Sequence, residues 1–286
     1  MNKENKAKIL MAFTMLVFGT ISIFVRAIDV STQELALYRA LLASILLGSI
    51  LLISKQSFSF KSLKKELLLL IVSGAMMGVN WILLFEAYRY TSISIATLSY
   101  YFAPILMILI SWVWFKEKLT KKQIICFVIA TVGLVLMNGG TSSGSQDVLG
   151  ILFGLGAALL YAIVVMVNKY IKRIDGIKRT FIQFVSAMII LFPYVCFTSG
   201  FHLNQLTANG WIALLIVGFI HTGINYCLYF YALKDLKGQQ VALLSYIDPL
   251  VALFVSFLWF HEVMTPLQMI GGILILGFTF ISELSK

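Results

Sequence analysis

Charge is scarce in this chain. Asp, Glu, Lys and Arg make up 12% of its 286 residues, about half the share of a typical globular protein. No stretch is polar enough to form a soluble domain or a long linker. The 3 cysteines, Cys126, Cys196 and Cys227, all fall in apolar runs at no metal-ligand spacing, so they read as small buried hydrophobes. Inside the apolar runs there is no nucleophile beside a base, no pair of metal ligands at i, i+4, and a single central carboxylate, Asp248. These shortages argue against an enzyme and against a bound metal or cofactor.

Hydrophobic residues are abundant instead, at 60% against about 45–50% in ordinary domains. Runs long enough to cross a hydrocarbon core, about 20 residues each, recur along the whole length. Ten are read: 7–27, 33–54, 66–89, 92–115, 121–138, 148–170, 178–198, 209–233, 236–260 and 266–284. The fold class expected is an all-α integral membrane protein of ten transmembrane helices. The first run follows lysines, as a signal peptide would, but no small-residue cleavage site follows it, and it is expected to stay as helix one.

The net charge of +10 is a topology signal. With the N-terminus inside, 19 of the 22 basic residues fall on the inner side, from Lys3 to Lys286, and only Arg26, Arg39 and Arg89 fall outside or in outer halves. Lys/Arg bias in short loops sets orientation. Both termini are therefore expected in the cytoplasm of a multi-pass cell-membrane protein. No nucleic-acid partner is implied.

The chain also repeats itself. Residues 78–125 align with 223–270 at a constant offset of 145 without gaps, with 15 identities in 48 positions. Shared hydrophobicity explains a matched leucine; it does not explain Asn80, Tyr101, Pro104, Trp114, Glu117 and Gln123 meeting identical residues. Five spans per half is an odd number, so the second half enters from the opposite side. Two inverted-topology five-helix repeats are expected, over 1–140 and 148–286, with 141–147 as an extracellular linker. Such repeats belong to transporters, whose substrate lies near the midplane at the repeat interface. Pro104 and Pro249 place a proline mid-span in each half, as a hinge or cavity wall, or as a packing kink.

The pattern resembles the drug/metabolite transporter superfamily, and within it the ten-helix EamA-type exporters. The resemblance covers essentially the whole chain. It rests on Phe18–Gly19, on Arg39 early in helix two, and on "YTSISIATLSYYFAP", "FKEKLTKKQ", "ALLSYIDP" and "FHEVMTPLQMIGGILILG". It implies secondary transport of small metabolites, often export of amino acids or other amines. The family more often has Glu-Pro where this chain has Asp248–Pro249.

Asp248 leads the candidate residues. A carboxylate at the bilayer centre costs roughly 2.5–3.5 kcal/mol on insertion scales, so it marks a substrate or proton site by default; a structural partner that neutralises it is the alternative. Ser245, Asp248, Ala252 and Ser256 share one helical face. His221, Asn225 and Tyr229 form a polar stripe on helix eight, and Asn80 is the counterpart of Asn225 on helix three. His221 could share a proton with Asp248 or bond a carbonyl. Trp81, Tyr88, Tyr100, Tyr101, Tyr226, Tyr229 and Tyr246 cluster where the repeats meet, and could hold a ring, or an ammonium by cation–π attraction. Arg39, Glu86 and Arg89 suit an ion-paired outer gate, and Arg39 equally suits binding a carboxylate. Glu117 and Glu262 read as helix-end ion pairs. Small residues every fourth position (Ala36, Ala40, Ser44, Gly48; Gly150, Gly154, Ala158, Ala162) read as close-packing faces.

The function expected is a secondary active transporter working by alternating access, possible proton coupling included, that exports small amine-containing metabolites, amino acids first among them. An organic-cation or drug transporter is the alternative; an intramembrane enzyme or a structural membrane protein is remote. The partners are a small-molecule metabolite and the lipid bilayer, with a homodimer possible. An impermeant reagent is expected to label single cysteines at 140–146 in intact cells, and one at position 118 only after lysis. The reverse pattern would overturn this topology.

Overall fold

The computed structural model describes residues 2–54, 64–91, 96, 99–118, 120–138, 147–171, 173–261 and 266–284. Every element among the described residues is helical. α1 (Lys3–Gly19) and the short α2 (Ile21–Val25) follow one another through a break at Thr20. α3 (Thr32–Ile53) starts from a capping box in which Ser31 and Glu34 satisfy each other's backbone N–H groups; this answers the unpaired donors of a helix start. Then come α4 (Lys64–Tyr90), α5 (Ala103–Phe115), α6 (Lys121–Asn138), α7 (Asp147–Tyr170) and α8 (Gly176–Thr198). α9 (Ala208–Leu215) runs through a π-helical segment (Ile216–Ile224) into α10 (Asn225–Leu233). α11 (Gly238–Leu244), α12 (Ile247–Phe260) and α13 (Pro266–Leu284) complete the chain. The expected linker, 141–147, lies outside the described residues except for Asp147, which opens α7; Glu262 lies outside them too.

Among the described residues, seven helical stretches are long and apolar enough to cross a membrane: Lys3–Val25, Thr32–Ile53, Lys64–Tyr90, Val148–Tyr170, Gly176–Thr198, Ala208–Leu233 and Gly238–Trp259. Ala103–Phe115 and Ile124–Gly133 are shorter apolar helices. Large hydrophobic side chains point outward: Phe197 is 89% exposed and Leu52 81%. On a water-soluble protein that surface would drive association; here it faces acyl chains. This is a multi-pass helical membrane protein.

The helices pack as two repeats with exchanged roles. α4 lies along α7 as α10 lies along α1, and α4 meets α8 as the π segment meets α3. α5 packs on α7 as α12 packs on α1, while α6 and α13 pair with each other at the periphery. The repeat extends to backbone detail. The two non-glycine residues with positive φ among the described residues are Lys116 (53°) and His261 (54°), at the ends of α5 and α12. They are 145 positions apart, the offset of the sequence alignment.

Close approach depends on absent side chains. A Cβ on Gly74 would lie 2.7 Å from the Gln183 Cα and 2.8 Å from the Ser186 Cβ, both on α8. On α7, a Cβ on Gly154 would lie 2.7 Å from the Ser99 Cβ, and Ala158 and Ala162 are fully buried. Gly277 faces open space, with nothing within 4 Å. Overpacking costs about 1–3 kcal/mol, whereas alanine for glycine in an unobstructed helix gains up to about 1 kcal/mol. G74A is therefore expected to lower the melting temperature of the purified protein in detergent, and G277A to leave it unchanged or raise it. Equal effects would remove the close-packing account of Gly74.

Candidate functional site

The span that carries Asp248 is broken. α11 stops at Leu244, Ser245 and Tyr246 form a turn, and α12 begins at Ile247. The other half does the same: Tyr101 and Phe102 turn, and α5 begins at Ala103. This differs from the mid-helix prolines expected from sequence. Pro249 is the third residue of α12 and Pro104 the second of α5, within first turns whose N–H groups have no intrahelical acceptor. Each proline therefore removes no helical bond and fits the restart of a helix. The restart also suits the acid, because Asp248 lies in the first turn of α12, where the helix macrodipole favours negative charge.

Both restarts open onto one cavity of about 300 Å³ between the repeats. Ser245, Tyr246, Asp248 and Ala252 face it from the second half, and Tyr100, Tyr101, Ala103 and Pro104 from the first. Trp81, Phe85 and Tyr88 of α4 line it, as do Phe18 and Gly19 of α1 and Arg39 of α3. The position of Asp248 in the first repeat is occupied by Ala103, so the cavity is symmetric in backbone and asymmetric in charge.

The two charged residues in it are held differently. The Asp248 backbone N–H donates to the Ser245 carbonyl at 3.3 Å, but among the described residues its carboxylate has no hydrogen-bond or ion-pair partner. Arg39 donates from Nε to the Thr222 Oγ1 at 3.0 Å, and its guanidinium carbon lies 5.4 Å from the centre of the Trp81 ring. The aromatic wall is braced from outside. The Tyr246 hydroxyl lies 2.9 Å from the Thr131 Oγ1 on α6. Tyr226 packs edge-on against Phe184 at 5.2 Å and Phe18 at 4.9 Å. Tyr161, an α7 residue the sequence reading left aside, faces the cavity and lies 3.3 Å from the Tyr229 hydroxyl. A lone tyrosine in an otherwise apolar stretch was its signal.

The model of the EamA-like transporter family matches residues 5–139 and 148–283. The chain belongs to this family. It is 32% identical over 254 residues to the uncharacterized transporter YxxF of Bacillus subtilis (strain 168), covering 88% of this chain and 81% of the relative. An uncharacterized transporter of Archaeoglobus fulgidus is 29% identical over 192 residues, 67% of each chain. A solved structure described as "Crystal structure of protein" superposes with a TM-score of 0.86 over 98% of this chain and 99% of its own, at 15% identity, a likeness of fold alone. The protein is thus a membrane transporter and not an enzyme.

Other predicted residues of this EamA-like transporter lie away from the cavity lining. Asn80 donates to the Ala157 carbonyl on α7 at 2.5 Å, and Asn225 donates to the Thr14 carbonyl on α1 at 3.0 Å. The matched asparagines thus make matched ties, each from one half to the first helix of the other. His221 is not beside Asp248: its Nε2 lies 3.2 Å from the Thr20 Oγ1, and its ring 5.1 Å from that of Phe24. Glu86 pairs with Arg89 at 3.0 Å one turn along α4 and accepts from the Tyr194 hydroxyl at 2.5 Å. Arg39 takes no part in that cluster. The side chain of Ser256 lies outside the described residues.

The lysine-rich end is closed by polar contacts that spacing alone does not reveal. Glu117 pairs with Lys169 at 2.8 Å and accepts from the Gly238 N–H at 3.2 Å, so the end of α5 is tied to the end of α7 and the start of α11. Gln239 reaches the Lys118 carbonyl at 3.3 Å, and Gln240 donates to Glu4 at 2.7 Å. Arg179, fully buried, donates to the carbonyls of Asn168, Ile171 and Ile174 and so fastens the α7–α8 connection. At the opposite end buried Glu34 accepts from the His202 N–H at 2.6 Å and from the Tyr38 hydroxyl at 3.1 Å.

In a background with Cys126, Cys196 and Cys227 replaced, Ala252→Cys is expected to react with a small hydrophilic thiol reagent. Ala187→Cys, whose site is fully buried between helices, is expected to stay unmodified until the protein is denatured. Failure of Ala252→Cys to react before denaturation would mean that the cavity is not reached by water.

Proposed function

We propose that this EamA-like transporter is a secondary active exporter in the cell membrane, working by alternating access on small amine-containing metabolites, amino acids first among them. The reading takes the chain as ten spans in two inverted repeats, 1–140 and 148–286, with 141–147 outside and both termini in the cytoplasm. Asp248 binds the substrate's ammonium group, or the coupling proton in its place. Tyr101, Tyr226, Tyr246 and Trp81 form the walls. Pro104 and Pro249 mark the breaks where half-helices turn as the cavity changes sides. Asn80, Asn225 and His221 serve the site by fixing the helices that carry it. Glu86 stands at the outer edge of that movement and Arg39 within the cavity.

The observation that carries this reading is the unpartnered carboxylate of Asp248 at a helix start inside an aromatic cavity. Burying a lone charge is costly, and a cation or proton that arrives with the substrate removes that cost. Half-helix ends at the midplane are the usual way transporters hold ions and charged substrate groups. Organic-cation transport is the second reading, because an acid among aromatic rings also suits a quaternary ammonium.

Asp248→Asn is expected to reach the membrane and keep its fold, yet to lose amine-dependent thermal stabilisation and counterflow in proteoliposomes. A ligand bound only to the folded state stabilises by RT ln(1 + [L]/Kd), so loss of binding reads directly as loss of the shift. A variant that binds and transports amines like the parent across pH would assign Asp248 a structural role.

A further inference from the structure

Arg39 is a second pole of the same cavity, and its setting points to a ligand. A guanidinium carries five N–H donors. One, at Nε, is used by Thr222. The terminal nitrogens have no protein acceptor among the described residues, although the group lines the cavity. Thr222 is able to hold Arg39 because of the π-helical segment. Its hydroxyl donates to the Val217 carbonyl five residues back at 2.8 Å and accepts from Arg39 with its free lone pair. Such π turns are rare and recur at functional sites. Trp81 supports the guanidinium from its ring face. A planar fork held at Nε and on one face presents its outer edge, the geometry that takes a carboxylate by two parallel hydrogen bonds.

Arg39 and Asp248 do not neutralise each other: no ion pair joins them, and each keeps its own surroundings. Tyr100 and Tyr226 lie within electrostatic range of both. A zwitterion with its ammonium on Asp248 and its carboxylate on Arg39 satisfies both charges at once, whereas an amine leaves the guanidinium bare. Leaving a buried charge without its partner is the arrangement that discriminates most strongly between ligands.

We infer that Arg39 is the carboxylate-binding residue of this site, with Thr222 as its positioning residue, and that the pair selects amino acids over the corresponding amines. This rests on the amine-site reading above and decides between its two alternatives. The first test needs no variant. Thermal stabilisation of the purified parent is measured with L-phenylalanine, phenethylamine, L-phenylalaninamide and 3-phenylpropionate, and with the matching leucine set. The amino acid is expected to bind at least about tenfold more tightly than its amine or amide, as loss of one charged hydrogen-bond pair implies.

In R39Q that preference is expected to shrink to within about threefold. T222V is expected to weaken the amino acid more than the amine, which a general loss of stability would not do. R39K, a point charge without the fork, is expected to restore only part of the preference. Equal affinity of amine and amino acid for the parent would overturn the role of Arg39 and leave the amine site standing. Binding of 3-phenylpropionate alone, unaffected by D248N, would overturn the amine site and keep Arg39 as an anion site. Silence from every compound in both sets would overturn both.

Discussion

Hydrocarbon offers no hydrogen bonds, and the whole arrangement follows from that. Every polar group drawn into the spans must find its partner inside the protein. The asparagines find carbonyls of neighbouring helices, Arg179 finds three carbonyls at a connection, and Glu34 finds a hydroxyl and a backbone N–H. Single buried atoms of several other side chains, the Asn225 Oδ1 and His221 Nδ1 among them, also lack a partner, but the carboxylate of Asp248 and the outer edge of Arg39 are charged groups that face one cavity. Polarity that the fold leaves unsatisfied is where a passing solute can be recognised.

Much of the fold was legible in the sequence because a membrane imposes few and simple rules. Span length and the offset of 145 residues each act over long windows, so single-residue errors average out. Asp248, Trp81, Tyr101, Tyr226 and Tyr246 were found because polar and amphipathic residues in apolar runs are conspicuous, and all of them line the cavity. What was not legible depends on depth, rotation and neighbours. Nothing in the spacing of His221 says that it meets Thr20 and not Asp248, and nothing in Thr222 says that a π turn aims it at Arg39. The prolines were seen, but the break of each span ahead of them was not, because a proline reads alike in a kink and in a first turn. The left-handed cap at Lys116 had no signal, since lysine does not favour that conformation, and histidine, which is enriched there, is too common elsewhere for His261 to announce its own.

The two repeats share a backbone more faithfully than they share chemistry. Asn80 and Asn225 keep both residue and role. Ala103 and Asp248 keep only the place, at matched helix starts on the same cavity. Asymmetry of the charges gives the cavity a direction along which a dipolar solute can lie. At the lysine-rich end Glu117 ties the two halves together through Lys169 and the Gly238 N–H.

The asparagine ties also change what counts as a part of this machine. The third span of each half is fastened to the first span of the other, so the halves of the sequence are clasped together and are not stacked side by side. Each packed unit built on these ties contains segments from both halves. The clasp also bears on biosynthesis. Thr14 leaves the ribosome long before Asn225, its partner, has been made, so the first span must wait in the lipid through most of synthesis. A chain severed near its middle would yield two fragments, each with its clasp open, that become a folded unit only when they meet in the same membrane.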